Sequence, residues 1–552
     1  MQKICKQCES NFEISESDLV FYNKISPVFN GVKCTISPPS LCPFCRQQRR
    51  LLFRNERSLY QRKCDGSGKS IISIYSPDTS MRVYEQNYWW SDAWDAREYG
   101  RDFDFNKTFT ENFSFLLHSA PVINLIAAQN ENCDFVNLES ESKNCYLNIG
   151  GHWNEECYYN TYSLSGKSNM DNYWVFKSEL LYECVNCFDC YHGGYLQECR
   201  NCSDCFFSSY LRNCQNCIGC VNLRNKKYHV FNKPVSEEEY NNIVESFVSR
   251  QMISEFLEKF QSFLLMQPMN ALHTLSVENS VGDYLTNSKD LYECFQCENM
   301  DSAAYCNIVG WSRNCYDMES IGKAEQCYEL LASIHLYNIC FSTFIFQSND
   351  CYYCYNVYNS KNCFGCVGMN KVEYCIFNKQ YAKEEYETLV LKIIEHMKMT
   401  GEWGEFFNPQ LSPFAYNESV ANEYFPLNSE SAVTQGFHWK NKSISQNDTP
   451  VLEIADSIEN VDESICKDIL ECKNCNRNYK IIPQEYRLYK SFRFPVPLHC
   501  PDCRHARRFA LRNPRRIYNR ACEKCKTDIQ TSYAPERPEL VYCEKCYLES
   551  IY

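Results

Sequence analysis

The chain has 552 residues, is 44% hydrophobic, carries a formal net charge of −13 and contains 38 cysteines. That length accommodates about three to five packed domains, and the acidic balance argues against a surface that binds nucleic acid all over. No apolar run reaches membrane-spanning length. With no leader ahead of Cys5, the cysteines predict a cytoplasmic, reduced protein whose thiols hold metal or fill cores, not a disulfide framework.

Residues 1–63 open with Cys5 and Cys8, answered by Cys42 and Cys45. Two Cys-x-x-Cys turns at such a distance supply the four thiolates of a closed zinc site. Cys34 lies inside the intervening loop as a possible competitor. From the second turn, Arg46, Arg50, Arg54 and Arg57 fall at i, i+4, i+8 and i+11, so a helix starting there would carry them on one stripe. Leu51 and Leu52 lie off that stripe and are expected to pack inward. Residues 64–125 follow as a second module, and comparison with the other end of the chain shows what it has lost.

From 126 to 380 the cysteines recur on a short period. Cys133, Cys145 and Cys157 step by twelve, as do Cys294/Cys306, Cys315/Cys327 and Cys351/Cys363/Cys375. Cys184/Cys187/Cys190, Cys199/Cys202/Cys205 and Cys214/Cys217/Cys220 are triplets offset by fifteen. Such periods are too short for helical-hairpin arrays and predict a short-period parallel β-solenoid, its inside lined by cysteine and its corners turned by asparagine. The Cys-x-x-Cys-x-x-Cys triplets lack the fourth cysteine of an iron–sulfur run, which disfavours clusters. Gly150-Gly151-His152 and His192-Gly193-Gly194 look like turns. The solenoid is duplicated (126–235 and 271–380): Cys217-Ile-Gly-Cys220-Val through Phe231-Asn-Lys aligns without gaps on Cys363-Phe-Gly-Cys366-Val through Phe377-Asn-Lys. Each half runs into a helical stretch, 236–270 and 381–400, expected to cap the open sheet edges. Residues 401–462, with Pro409, Pro413, Pro426 and Pro450, read as an irregular connector.

At the far end, residues 463–521 hold Cys472/Cys475 and Cys500/Cys503, and residues 522–552 hold Cys522/Cys525 and Cys543/Cys546. Arg504, Arg508, Arg512 and Arg515 repeat the N-terminal stripe, with Phe509 and Ala510 expected to face inward and Pro514 to stop the helix near Asn513. Residues 42–88 overlay on 500–546 without a gap, with seventeen of forty-seven positions identical. Opposite Cys525, Cys543 and Cys546 stand Ser67, Glu85 and Tyr88. Only Cys64 of that second site persists, so the 64–125 module is expected to be metal-free, with Tyr88, Trp89, Trp90 and Trp94 supplying a core. Zinc should number about three per chain.

Cys472-Lys-Asn-Cys475 through Cys500-Pro-Asp-Cys503-Arg-His-Ala-Arg-Arg resembles the probable zinc-ribbon (treble-clef) domain family. Cys5-Lys-Gln-Cys8 through Cys42-Pro-Phe-Cys45-Arg-Gln-Gln-Arg-Arg looks like a second copy. The whole architecture is similar to large cysteine-rich bacterial proteins carrying that domain. The resemblance covers about a quarter of the chain; it implies structural zinc and no reaction.

No nucleotide loop, Ser/His/Asp order or His-Glu-x-x-His helix is present, so no enzyme is expected. Two functions are weighed. The first is a zinc-binding cytosolic scaffold, its arginine stripes contacting nucleic acid, or an acidic protein surface, or carboxylates of the same chain. The second is a metal- or redox-handling protein using the central cysteines.

Overall fold

The structure is a computed structural model that describes residues 1–313, 316–317, 319–441 and 453–552. Cys315 and Pro450, two positions of the patterns above, lie outside the described residues. The fold is mainly β, and the chain divides into two compact units that interleave in sequence. Unit 1 comprises Met1–Leu125, Leu272–Lys440 and Arg515–Ile517; unit 2 comprises Ile126–Ala271, Asn441–Pro514 and Tyr518–Tyr552. Unit 1 therefore joins the N-terminal cysteine module, and unit 2 both C-terminal ones, to the cysteine-marked repeat that is remote in sequence.

In unit 2 the strands Asn137–Ser140, Ile149–His152, Thr161–Leu164, Tyr173–Phe176 and Val185–Phe188 run parallel. Their register partners stand twelve residues apart, as in Asn137↔Ile149, Thr161↔Tyr173 and Val175↔Cys187. Unit 1 repeats the ladder, with Ile339↔Cys351, Cys351↔Cys363 and Cys363↔Cys375. The expected fifteen-residue offset is corrected to a twelve-residue rung, with a first step of eleven at Thr274↔Leu285 in unit 1. Cys187 leads to Cys199, and Cys190 to Cys202 and Cys214; the extra three residues belong to a finer period.

That finer period is set by the backbone. From Tyr159 to Asn216 every third residue has φ near +50°, including Asp171, Glu183, Asn186, Asn201, Asn213 and Asn216. Four such triplets make one twelve-residue rung. A left-handed residue with a Cβ costs about 1–2 kcal/mol, least for Asn and Asp. The cost is met by ladder bonding: Asp171 N–H donates to Tyr158 O (3.0 Å) and Asn213 N–H to Arg200 O (3.1 Å). The residue after each left-handed position is buried. Cys184, Cys187, Cys190, Cys199, Cys202, Cys205, Cys214, Cys217 and Cys220 all occupy such positions and form one core with Val175, Leu181, Leu196 and Leu211. Earlier rungs place asparagine beside the buried Cys145 and Cys157: Asn160 N–H donates to Asn148 Oδ1 and Asn172 N–H to Asn160 Oδ1.

The two Gly-His motifs are strand, not turn: Ile149–His152 and Tyr191–Gln197. At Gly193 a Cβ would stand 2.7 Å from Cys205 O on the next rung, so glycine answers a close backbone approach. The duplicated Phe-Asn-Lys words end the ladders. Asn232 and Asn378 are left-handed. The Asn232 amide brackets Val221, accepting from its N–H (2.9 Å) and donating to its carbonyl (3.0 Å). Asn378 does the same to Val367 (2.8 and 2.7 Å). An antiparallel strand then folds back on the last rung of each, Lys233–Pro234 and Lys379–Gln380. The helices Glu237–Glu245, Arg250–Leu264 and Lys383–Thr400 follow. No helix among the described residues is long and apolar enough to cross a membrane.

Candidate metal centres

Three groups of four thiols come together: Cys5, Cys8, Cys42 and Cys45; Cys472, Cys475, Cys500 and Cys503; and Cys522, Cys525, Cys543 and Cys546. Within each group the sulfurs all lie within 4.8 Å of one another. The Sγ–Sγ separations of Cys8–Cys42, Cys475–Cys500 and Cys525–Cys543 are 3.7, 3.6 and 3.8 Å. Four sulfurs about 2.3 Å from a tetrahedral zinc ion stand about 3.8 Å apart, so the donor sets fit that ion. Each second turn opens a helix, Pro43–Leu51, Pro501–Ala510 and Glu544–Ile551, and proline at the first helical position of the first two sacrifices no hydrogen bond.

N–H groups converge on the sulfurs, as a thiolate requires. Cys500 N–H and Cys543 N–H donate to Cys472 Sγ and Cys522 Sγ (3.2 Å each). Asn474 donates to Cys503 Sγ (3.3 Å) and Arg477 Nε to Cys475 Sγ (3.4 Å). Burial opposes ionisation of Cys475, but hydrogen bonds from the Arg477 guanidinium and backbone N–H, together with those of Cys503 and Cys472, outweigh it and lower the thiol to about 6. At Cys525 the Thr527 hydroxyl is the main cause of a similar fall, to about 6. Cys34 is buried and its thiol is pushed up by that burial; it is not among the four clustered sulfurs of its module.

The overlay's vacated site keeps the same turn. Ser67 N–H and Glu85 N–H both donate to Cys64 Sγ (3.3 Å). A Cβ on Gly66 would strike the Tyr88 ring, which fills the space, and Glu85 pairs with Lys69 (3.1 Å). Cys64, Tyr84, Trp89 and Ile123 form a core with Tyr358, and Tyr88 and Trp94 pack against it.

The arginines lie elsewhere than expected. The helices end at Leu51 and Ala510, so Arg54, Arg57, Arg512 and Arg515 lie beyond them. Arg46, Arg50, Arg54, Arg504 and Arg508 are at most 2% exposed, and Arg512 and Arg515 are 8% exposed. Arg57 is half-buried. The buried guanidinium groups face carboxylates and aromatic rings of the same chain, the self-pairing alternative that the sequence left open. In unit 2, Arg504 Nε meets Asp171 (3.2 Å) and its Nη1 meets Glu485 (2.9 Å). Arg508 bridges Asp171 and Glu183 (3.0 Å each), and Arg507 reaches Glu183 (2.6 Å). Arg512 donates to Tyr173 Oη (2.8 Å). In unit 1, Arg46 forks onto Asp317, Arg49 meets Glu329 (2.6 Å), and Arg50 lies 3.6 Å from Asp317. Arg515 meets Glu319 (3.4 Å) and stacks on Tyr424. The helix faces follow suit. Leu51 and Leu52 are buried as expected, but Phe509 is half-buried and Ala510 exposed, because the arginine side faces the ladder.

Sequence reasoning missed the acceptors. Asp171 and Glu183 are left-handed residues one rung apart, and so are Asp317 and Glu329. The shared spacing Tyr159-x11-Asp171-x11-Glu183 and Tyr305-x11-Asp317-x11-Glu329 is the signal that could have found them. Two carboxylates stacked in register repel, and a planar arginine fork between them removes that repulsion. Burial opposes ionisation of Glu183, yet Arg507, Arg508 and Arg504 outweigh it and hold its carboxyl below the ordinary range.

At Glu329 the balance falls the other way. Burial, only partly offset by Arg49 and Arg50 and aided by Asp317 and Glu405, raises the carboxyl from 4.5 to about 7. The folded state then holds this proton more tightly than the unfolded chain. Its contribution to stability is full below pH 4.5 and declines as pH rises towards 7. Glu329→Gln cannot titrate. Its stability relative to wild type should therefore rise by about 2 kcal/mol between about pH 5.5 and 8, measured by urea denaturation. A pH-independent difference would contradict this.

No protein-family model matches this chain, and no curated protein matches it.

Proposed function

We propose that the chain is a non-enzymatic, zinc-structured cytoplasmic scaffold. In this reading each unit is a β-solenoid clamped by a treble-clef module, and zinc holds the helix that carries the clamp. The observation that carries it is the buried pairing of Arg504 and Arg508 with Asp171 and Glu183, repeated by Arg46 and Arg49 with Asp317 and Glu329. A closed four-thiolate ion has no open position for substrate, and the residues it fixes are spent on packing. What such a body offers a partner is its exposed ladder faces.

The alternative, metal or redox handling by the central cysteines, finds less support. The thiols of Cys184, Cys187, Cys190, Cys202 and Cys205 lie 3.2–3.5 Å from the carbonyl two residues back. That contact suits a protonated S–H donor lining a core. Elemental analysis of protein purified under reducing conditions separates the two: about three zinc and no iron is expected. Iron, brown colour or a large excess of metal would favour the alternative.

A further inference from the structure

The ladder of unit 2 is closed at its far end, where the antiparallel strand Lys233–Pro234 covers the last rung. It begins with Ala127–Ala128, and no strand among the described residues lies on the outer side of that first rung. Later rungs follow one bonding rule: a left-handed residue donates its N–H to the rung before. Glu141 donates to Ala128 O, Asn144 to Glu131 O and Leu147 to Asp134 O (2.9, 3.0 and 3.1 Å). Gln129, Asn132 and Phe135 are the left-handed residues of the first rung, and their N–H groups reach no acceptor among the described residues. Ser142 O and Cys145 O accept from Glu131 and Asp134 N–H (2.9 and 3.0 Å); their first-rung counterparts, Asn130 O and Cys133 O, accept from no N–H among the described residues. Donors and acceptors therefore alternate along one open edge, and Gln129, Asn132 and Phe135 are exposed.

The core is open at the same place. Cys133 heads the inward stack that continues as Cys145 and Cys157. Those two are 2% and 0% exposed, whereas Cys133 is half-buried, the one ladder cysteine among the described residues that is not buried. The charge pattern also stops short. Glu131, Lys143, Glu155, Lys167 and Glu179 stand in register on successive rungs, alternating in sign. Glu155 lies between two lysines, but Glu131 has Lys143 on one side (3.2 Å) and the open edge on the other. Asp134, exposed beside it on the same rung, adds a second negative charge. A second copy suits this edge poorly. Antiparallel pairing of two edges through Asn132 N–H and Cys133 O would set Glu131 of one copy against Asp134 of the other, and like charges facing across a pair repel. Stacking on the far end of another ladder is blocked by its fold-back strand.

We propose that the open edge of unit 2 takes an extended segment of a partner protein as a further, parallel rung. The segment carries a basic residue opposite Glu131, a small apolar residue over Cys133 and a second basic residue opposite Asp134, the pattern basic-x-small-basic. Main-chain bonds to Gln129, Asn130, Asn132, Cys133 and Phe135 hold it, and the side chains select it. The basic residues extend the alternation of the Glu131 column by one more rung, and the small one completes the cover of the Cys133 stack. The same two carboxylates that attract this segment keep other copies of the chain away. The inference rests on the scaffold reading and gives its partner a place, the first rung of the ladder, away from the buried arginines of the knuckle helices.

The test is fluorescence anisotropy of the zinc-loaded full chain, under reducing conditions, with a labelled peptide that copies the second rung, Ser140–Asn148, and carries Tyr146→Lys. On the open edge its Lys143 would stand opposite Glu131, its Cys145 over Cys133 and its position 146 opposite Asp134. This peptide should bind saturably, and the same peptide with Lys143→Glu and Tyr146→Glu should bind at least about tenfold more weakly. In the full chain, Glu131→Lys with Asp134→Lys should reverse that preference; both side chains are exposed, outside the core. Unaltered zinc content and melting temperature certify the variant's fold. Should it fail to fold, the wild-type chain's choice between the two peptides still decides. Bound peptide should also slow hydrogen exchange at the Gln129, Asn132 and Phe135 amides. Equal binding of the two peptides, an unreversed preference in the folded variant, or unchanged exchange at those amides would overturn the proposal. So would dimerisation that protects the same amides without peptide, which would assign the edge to a second copy. Absence of binding with three zinc ions in place sinks this edge alone, whereas iron or excess metal sinks the scaffold reading itself.

Discussion

Cys475→Ser with Cys500→Ser should lower the zinc content from three ions to two and unfold unit 2 ahead of unit 1. Serine cannot supply a thiolate, and two ligands do not retain a structural ion. Metal binding in small modules of this kind is worth about 10–16 kcal/mol and is inseparable from their folding. The loss reaches past the module because its core is continuous with the ladder. Cys472, Cys500, Tyr489, Phe492 and Phe494 belong to one cluster with Tyr182 and Phe206, and Phe494 presses on Gly194 so closely that a Cβ there would lie 2.9 Å from its ring. Calorimetry should show the doubly substituted protein melting in two steps, the earlier one lowered by roughly 10 °C or more, since several kcal/mol correspond to that shift in a domain of this size. Unit 1 keeps its own four thiols, Cys5, Cys8, Cys42 and Cys45, and its transition should stay in place. An unshifted melt with three ions retained would contradict the assignment.

Arg508→Ala is the second large effect. Arg508 is fully buried and bridges two carboxylates, Asp171 and Glu183, on neighbouring rungs. Its removal leaves both without the fork that separates them, and breaking a buried pair on one side costs about 3–5 kcal/mol. Arg508→Lys should recover little of this, because an ammonium cannot serve two carboxylates in the planar geometry of a guanidinium. Arg508→Met combined with Asp171→Leu should be less destabilising than the sum of the two single changes, because the pair is then removed together. Denaturant titration reads all three. Additive losses would mean that the residues do not interact.

The sequence carried the periodicity of the core and the metal ligands openly, because both are written in cysteine. A thiolate quartet needs its residues as pairs at fixed spacing, and a twelve-residue rung returns each inward position after twelve residues. The three-residue subperiod was less visible. Its left-handed positions accept Asn, Asp, Glu, Tyr, Phe and Leu alike, so the backbone rule has no single residue signature. The fifteen-residue offset of the cysteine triplets was one rung plus one triplet. The arginine stripes were legible as stripes but not as buried ones. Burial of Arg46 or Arg508 depends on Asp317 or Asp171, which lie hundreds of residues away and are brought near only by the interleaving of segments within each unit. Spacing along a helix reports which side chains share a face and says nothing of what that face meets. Asn232 and Asn378 show the converse: the duplicated Phe-Asn-Lys words marked the places, and only the bracketing of Val221 and Val367 explained them.

Hydrogen exchange on the intact chain, with and without a strong zinc chelator, tests most directly whether metal, knuckle helix and ladder act as one body. Stripping the ions should deprotect Pro501–Ala510 and the ladder around Asp171–Glu183 together, because losing the helix strips the stacked carboxylates of their arginines. A ladder whose protection is untouched while the helix exchanges freely would contradict the clamp.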